Sequence, residues 1–194
     1  PKERAFVTGI PTDPKFLKGH DARALRRQWG LKEDALTVMI ATGSFGFGPI
    51  EELADLLKDH QLIVVCGHNK GLYARLSQRR LGHAKVCGLA DNMDELMSAS
   101  DIMVTKPGGL SIAESLVKGL VLVFFSAIPG QEMNNFKVLA RFKVGLGQLT
   151  LSEIAQAVNR LRASRQELAD QKARSKAFAR PWAVDDIIRI IKNK

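Results

Sequence analysis

Residues 105–114, TKPGGLSIAE, combine the types that hold an anion, and they follow an apolar run of Ile102, Met103 and Val104. Pro107 with Gly108 and Gly109 forces a turn, Ser111 is a favourable helix N-cap, and the helix that follows opens with unpaired N–H groups at its positive end. A phosphate is the natural occupant of such a place. A plainer reading also stands: Ser111 and Glu114 have S-x-x-E spacing, so the stretch can be an ordinary loop closed by a capping box. Glu114 has chemistry of its own, because a carboxylate one turn into a phosphate-facing helix can accept hydrogen bonds from both vicinal hydroxyls of a ribose. Gln131, Glu132 and Asn135 open a later helix with donors and acceptors suited to sugar hydroxyls. Plain capping of a solvated helix would explain the same three residues.

Other signatures narrow what the anion can be. In TGSFGFG, residues 42–48, the glycines Gly43, Gly46 and Gly48 run G-x-x-G-x-G, which is not the dinucleotide fingerprint. Cys66, Gly67 and His68 stand where that fold carries an acidic residue after its second strand, so a nicotinamide dehydrogenase is disfavoured. There is no G-x-x-x-x-G-K-[ST] and no D-x-D pair to hold a divalent ion against a diphosphate. A diphosphate here must be neutralised by amides, hydroxyls and a helix dipole, with no cofactor and no metal. His20, His60, His68 and His83 are scattered, and only His68 lies in a candidate ligand loop. Cys66 and Cys87, each in an apolar run and without a C-x-x-C companion, read as buried reduced thiols.

The elements that must position these residues follow from the apolar pattern. Apolar runs at 36–41, 62–66, 102–104 and 121–125, with a further short strand at 84–87, alternate with helical stripes such as Ile50, Leu53, Ala54 and Leu57. Short connections between them predict a doubly wound α/β domain with a mostly parallel, Rossmann-like sheet covered on both faces. Residues 5–8 read as a linker or first strand. Beyond Gly147 the pattern is wholly helical, with one stripe through Leu151, Ile154, Val158 and Leu161, another through Val184, Ile187, Ile188 and Ile191, and a break at Pro181. The net charge of +9, from 29 basic and 20 acidic residues in 194, points to an anionic partner. Only 6% of residues are aromatic and no RNP-like or zinc-finger pattern occurs, so nucleic acid is disfavoured. No apolar stretch approaches the length of a membrane span.

The ordered segments VTGIPTDPKF, ATGSFGFGPI, VVCGHNKGLY, VCGLADNMDELMSASDIMVTKPGGLSIAE and PGQEMNN resemble the donor-binding half of GT-B glycosyltransferases. The group is that of monogalactosyldiacylglycerol synthase and processive diacylglycerol glucosyltransferase, with a more distant similarity to the N-acetylglucosaminyltransferase of peptidoglycan synthesis. The resemblance implies a nucleotide-diphosphate sugar lying across these loops. Gly43, Ser44 and Phe45 with Gly108, Gly109, Leu110 and Ser111 would hold the diphosphate, and Leu89 and Ala90 would meet the uracil through backbone groups. Glu114 would hold the ribose, and Gln131, Glu132 and Asn135 the hexose. It further implies metal-independent hexosyl transfer from UDP-glucose, UDP-galactose or UDP-N-acetylglucosamine to a diacylglycerol-type lipid. The protein would be cytoplasmic and peripheral, at the inner face of the membrane, where its positive charge suits anionic lipids. A non-catalytic nucleotide-sugar-binding module and a UDP-sugar epimerase of the same architecture are the competing readings.

The resemblance also divides the chain. Residues 1–14 are the linker from a missing N-terminal domain, 15–180 the donor-binding domain, and 181–194 a C-terminal helix able to pack on this domain or back on the missing one. The general base would lie in that missing domain, so no residue here is assigned as catalytic and the fragment alone is expected to be inactive. Relatives often carry an arginine in a G-x-P-x-R pattern, where this chain has Asp13.

Overall fold

The computed structural model describes residues 5–79, 81–125, 129–147 and 149–193. Five strands form one parallel sheet: β1 (Thr37–Ala41), β2 (Gln61–Val65), β3 (Ala84–Cys87), β4 (Ile102–Thr105) and β5 (Val121–Phe124). Their spatial order is β3-β2-β1-β4-β5. Met39 pairs with Ile63 on one side and Met103 on the other. Every residue of β1, β2, β4 and β5 is buried. Helices close both faces of a parallel sheet, and that double burial is why these strands read as unbroken apolar runs.

Successive strand residues point to opposite faces and sort into two clusters. Val38, Ile40, Val64 and Val104 pack beneath α2 (Ile50–Leu56), α3 (Lys70–Gln78) and α7 (Leu151–Ala163), through Leu53, Leu76 and Val158. Met39, Ile63, Met103 and Phe124 pack beneath α1 (Ala22–Gln28), α4 (Met93–Ser98), α5 (Gly109–Lys118) and α6 (Gln131–Arg141). Cys66 belongs to the first cluster and Cys87 packs against the second, so the two thiols are free and on opposite faces.

Three readings of the chain need correction or addition. Residues 5–8 form no strand, and Val7 is 93% exposed. Beside β5, Leu146 takes the ladder bonds, accepting from Phe124 N–H at 2.7 Å and donating to the Leu122 carbonyl at 2.8 Å. The helical tail breaks at Ser164 as well as near Pro181, giving α8 (Arg165–Phe178) a separate course. Ser164 ends α7 and caps α8, its hydroxyl accepting from Glu167 N–H at 3.2 Å. Leu168 packs against the first cluster and Phe178 against the second, so α8 crosses from one face to the other. The last helix, α9 (Ala183–Lys192), keeps Val184, Ile188 and Ile191 of its apolar stripe exposed.

The end of the sheet remote from the candidate loops is fastened by Asp101. Its carboxylate accepts from Arg26 Nη2 at 2.8 Å, from Thr37 N–H at 2.9 Å and from Lys172 Nζ. Arg26 is itself buried and also donates to the carbonyls of Ala99 and Glu33. A buried guanidinium is tolerated only when its donors are satisfied in this way.

Candidate functional site

The strand order reverses between β1 and β4. The chain leaving β1 winds toward β2 and the chain leaving β4 winds toward β5, so their loops diverge and leave a crevice at the carboxyl ends of the two strands. Gly43, Ser44 and Phe45 lie in the loop after β1. Gly108, Gly109, Leu110 and Ser111 lie directly after β4. The two predicted diphosphate segments are therefore brought to the same crevice, one from each side.

At the β4 side the predicted cap is wrong, and the correction favours an anion. Gly108, with φ −73° and ψ 138°, is the N-cap of α5, and no side chain caps the helix. Gly108 N–H turns back to the Lys106 carbonyl at 2.8 Å, and Ile112 N–H donates to the Gly108 carbonyl at 3.0 Å. Ser111 sits inside the first turn, so it neither caps α5 nor forms a capping box with Glu114. Two local causes start the helix early: Pro107 imposes the turn, and glycine is itself an acceptable N-cap. A tertiary cause acts on Gly109, where an added Cβ would lie 3.0 Å from Ile10 Cδ1. The first amides of α5 are left without a side-chain acceptor among the described residues. A capping box forms instead at α7, where Thr150 N–H donates to Glu153 Oε2 at 2.8 Å and Glu153 N–H returns to Thr150 Oγ1 at 3.4 Å.

The loop after β1 is held by close backbone approach to the loop after β2. Gly46 and Gly67 both have φ +59°, and a Cβ on either would collide with a carbonyl, that of Cys66 or of Ser44. His68 N–H donates to the Ser44 carbonyl at 2.8 Å. Asn69 accepts from Leu72 N–H at 3.0 Å as the cap of α3 and donates to the Gly46 carbonyl at 3.4 Å. Ser44 remains exposed. Phe45 and Phe47 stack with ring centroids 5.9 Å apart, and the His68 ring lies 6.0 Å from Phe45. Burial pushes the Cys66 thiol up to about 11 and raises that of Cys87, so neither is a ready nucleophile.

Glu114 stands in the second turn of α5, half-buried. Burial raises its pKa to about 7; Lys15 opposes that rise and Asp13 adds to it. Both come from a short 3-10 turn, Pro14–Leu17, that Asp13 caps by accepting from Lys15 N–H at 2.9 Å. Lys15 Nζ reaches across to donate to the Asp91 carbonyl at 2.7 Å, in the loop after β3 that carries Leu89 and Ala90. Leu89 is exposed, and Ala90 packs against the second core cluster. Sequence reading passes over Lys15; the signal available was D-P-K-F, an Asp cap and a Pro that together fix the turn carrying it.

At the other flank, α6 begins after Gly130, which has φ +104°, and no side chain caps it. Gln131 is exposed, and Glu132 and Asn135 are half-buried. Asn135 Nδ2 donates to the Pro107 carbonyl at 3.0 Å, tying α6 to the turn that precedes α5. Residues 126–128, between β5 and this helix in the sequence, lie outside the described residues. A separate apolar cavity of about 180 Å³, lined by Ile10, Ile112, Leu116 and Val138 among others, opens beside the crevice and shares Gly109 and Asn135 with it. Among the described residues no group of three His, Cys, Asp or Glu is placed to hold a metal ion, and no helix is long and apolar enough to cross a membrane.

Comparison with known families assigns this arrangement. Residues 37–187 match the glycosyltransferase family 28 C-terminal domain. The chain belongs to this family. Within it, the chain is 34% identical over 142 residues to a processive diacylglycerol beta-glucosyltransferase of Staphylococcus saprophyticus, covering 70% of this chain and 36% of that protein. It is 30% identical over 199 residues to the chloroplastic monogalactosyldiacylglycerol synthase 2 of Arabidopsis thaliana, covering 95% of this chain and 42% of that protein. The family 28 chain thus spans less than half the length of these curated relatives. Its fold is the C-terminal half of a GT-B glycosyltransferase. It superposes on MurG of Acinetobacter baumannii with a TM-score of 0.70 at 20% identity, covering 98% of this chain and 59% of that one. Against Anabaena Alr3699/HepE, solved in complex with UDP-glucose, the TM-score is 0.69 at 20% identity, covering 96% and 56%.

Proposed function

We propose that this family 28 domain binds a UDP-sugar donor and presents it for hexosyl transfer to a diacylglycerol-type lipid at a membrane surface. The observation that carries the reading is the uncapped start of α5, set across the crevice from Ser44 with Glu114 further along the same helix. In the transfer, the anomeric C–O bond to the β-phosphate breaks, the acceptor oxygen forms the new bond, and UDP leaves with the electron pair. Negative charge then grows on the diphosphate, and in this reading the α5 amides, the helix dipole and the hydroxyls of Ser44 and Ser111 stabilise it. Stabilisation of this kind takes the place of a divalent ion, so the reaction proceeds without metal.

The remaining residues divide the donor among them. The loop carrying Leu89 and Ala90 meets the uracil through backbone groups, and the Glu114 carboxylate accepts from the ribose hydroxyls. Asn135 spends its amide N–H on the Pro107 turn and offers its oxygen to the hexose, beside Gln131 and Glu132. Acceptor deprotonation is left to the other half of the enzyme. The relatives named for diacylglycerol substrates support the acceptor class, and the +9 charge suits an anionic membrane surface.

Ligand-observed NMR with UDP, UDP-glucose, UDP-galactose and UDP-N-acetylglucosamine tests the reading. Binding of UDP and of at least one UDP-sugar without added divalent ion is expected. Failure of all four to bind refutes it, and a strict need for metal refutes the charge-stabilisation argument.

A further inference from the structure

The N-terminal 3-10 turn packs against α5, the helix that carries Glu114, and brings Lys15 to the side of the predicted ribose site. Lys15 is pinned at both ends: its backbone N–H donates to the Asp13 carboxylate at 2.9 Å and its Nζ to the Asp91 carbonyl at 2.7 Å. The next residue, Phe16, is 4% exposed and anchors the turn in the second core cluster. We propose that Lys15 is the positioning cation of the donor site, clamping the loop after β3 onto the N-terminal turn and supplying the positive charge that faces the Glu114 carboxylate. This rests on the donor reading above and adds the residue that keeps its ribose contact competent.

The need for such a charge follows from the neighbours. Asp13 caps the turn and stands near Glu114 along with Lys15; burial and Asp13 both disfavour a negative charge on Glu114, and Lys15 opposes them. A ribose hydroxyl pair is held best by an ionised carboxylate, which accepts through two oxygens. The Lys15 ammonium also fixes the height of the Leu89 and Ala90 loop through Asp91, so uracil and ribose contacts are set by one side chain.

Lys15→Met and Lys15→Arg separate this role from a merely structural one. Affinity for UDP-glucose and UDP-galactose is measured from pH 5.5 to 9, with thermal melts to establish folding. In parallel, the Glu114 carboxyl carbon is titrated by NMR in the ligand-free proteins. An opposite charge close to a carboxylate lowers its pKa by about one unit or more, so Lys15→Met is expected to move the affinity midpoint up by about one pH unit and weaken binding about threefold at pH 7. Lys15→Arg is expected to restore the wild-type midpoint. An unchanged midpoint and an unchanged Glu114 titration in a folded Lys15→Met protein overturn the proposal while leaving the donor reading intact. A wild-type protein that binds no UDP-sugar at any pH overturns both.

Discussion

Replacing Glu114 with Gln is expected to weaken donor binding and stabilise the empty protein, two effects of opposite sign from one side chain. For affinity, the ribose loses a charged acceptor and keeps a neutral one. The difference between a charge-assisted and a neutral hydrogen bond is about 1.5 kcal/mol, so UDP-glucose affinity at pH 8 is expected to fall about tenfold. The pH dependence adds a second signature. With the carboxyl titrating at about 7, it is about nine-tenths ionised at pH 8 and about one-tenth at pH 6, so with the neutral form binding about tenfold weaker wild-type affinity drops about fivefold over that interval and the Gln variant stays flat.

Stability runs the other way. A carboxyl whose folded pKa is raised holds its proton more tightly in the folded than in the unfolded state. The stability this gives is fully present below the ordinary value of 4.5 and is lost as pH rises to about 7. Above that, the folded protein carries an ionised, half-buried group. After discounting for solvent screening the penalty is about 1 kcal/mol. For a domain of this size that is about 2–4 °C, so Glu114→Gln should melt higher than wild type at pH 8 and level with it at pH 4. Calorimetric binding and thermal melts at pH 4, 6 and 8 decide the matter. A Gln variant that binds UDP-glucose as tightly as wild type at pH 8, with the same slope against pH, refutes the ribose role. One that melts lower at pH 8 refutes the reading of Glu114 as a carboxylate that burial disfavours in its ionised form.

Two further substitutions test the scaffold at opposite ends of the sheet. Gly67→Ala drives a Cβ into the Ser44 carbonyl at a positive φ; it is expected to cost more than about 1 kcal/mol in urea denaturation and to abolish UDP binding by displacing the loop after β1. Asp101→Ala strands the buried Arg26 and is expected to cost about 3 kcal/mol, yet the protein that remains folded should bind UDP with wild-type affinity because the cluster lies at the far end of β4. Loss of affinity in proportion to stability for Asp101→Ala, or none for Gly67→Ala, would contradict this division.

Much of the architecture was legible because its causes are local. Strands buried on both faces must be apolar throughout, so Val38 to Ala41 and Val121 to Phe124 announced themselves, and the helices between them carried their own stripes. The α7–α8 break was hidden because α8 has no continuous apolar stripe and is held by contacts such as Lys172 with Asp101. Ser111 misled for a related reason. Its type and spacing satisfy the capping rule, but the turn at Pro107 and the packing of Ile10 on Gly109 start the helix at Gly109. Asn135 was selected for its sugar-binding chemistry, and its bond to the Pro107 carbonyl adds a structural duty that no local pattern encodes.

The sequence alone determined the alternating α/β order and the family, since these depend on residue type and on spacing within one element. Tertiary structure decided which loops share the crevice, because strand order is fixed by pairing between runs far apart in the chain. It also decided the surroundings of Glu114: folding packs the N-terminal turn, with Asp13 and Lys15, against α5, and the ionisation of a group depends on what surrounds it in space.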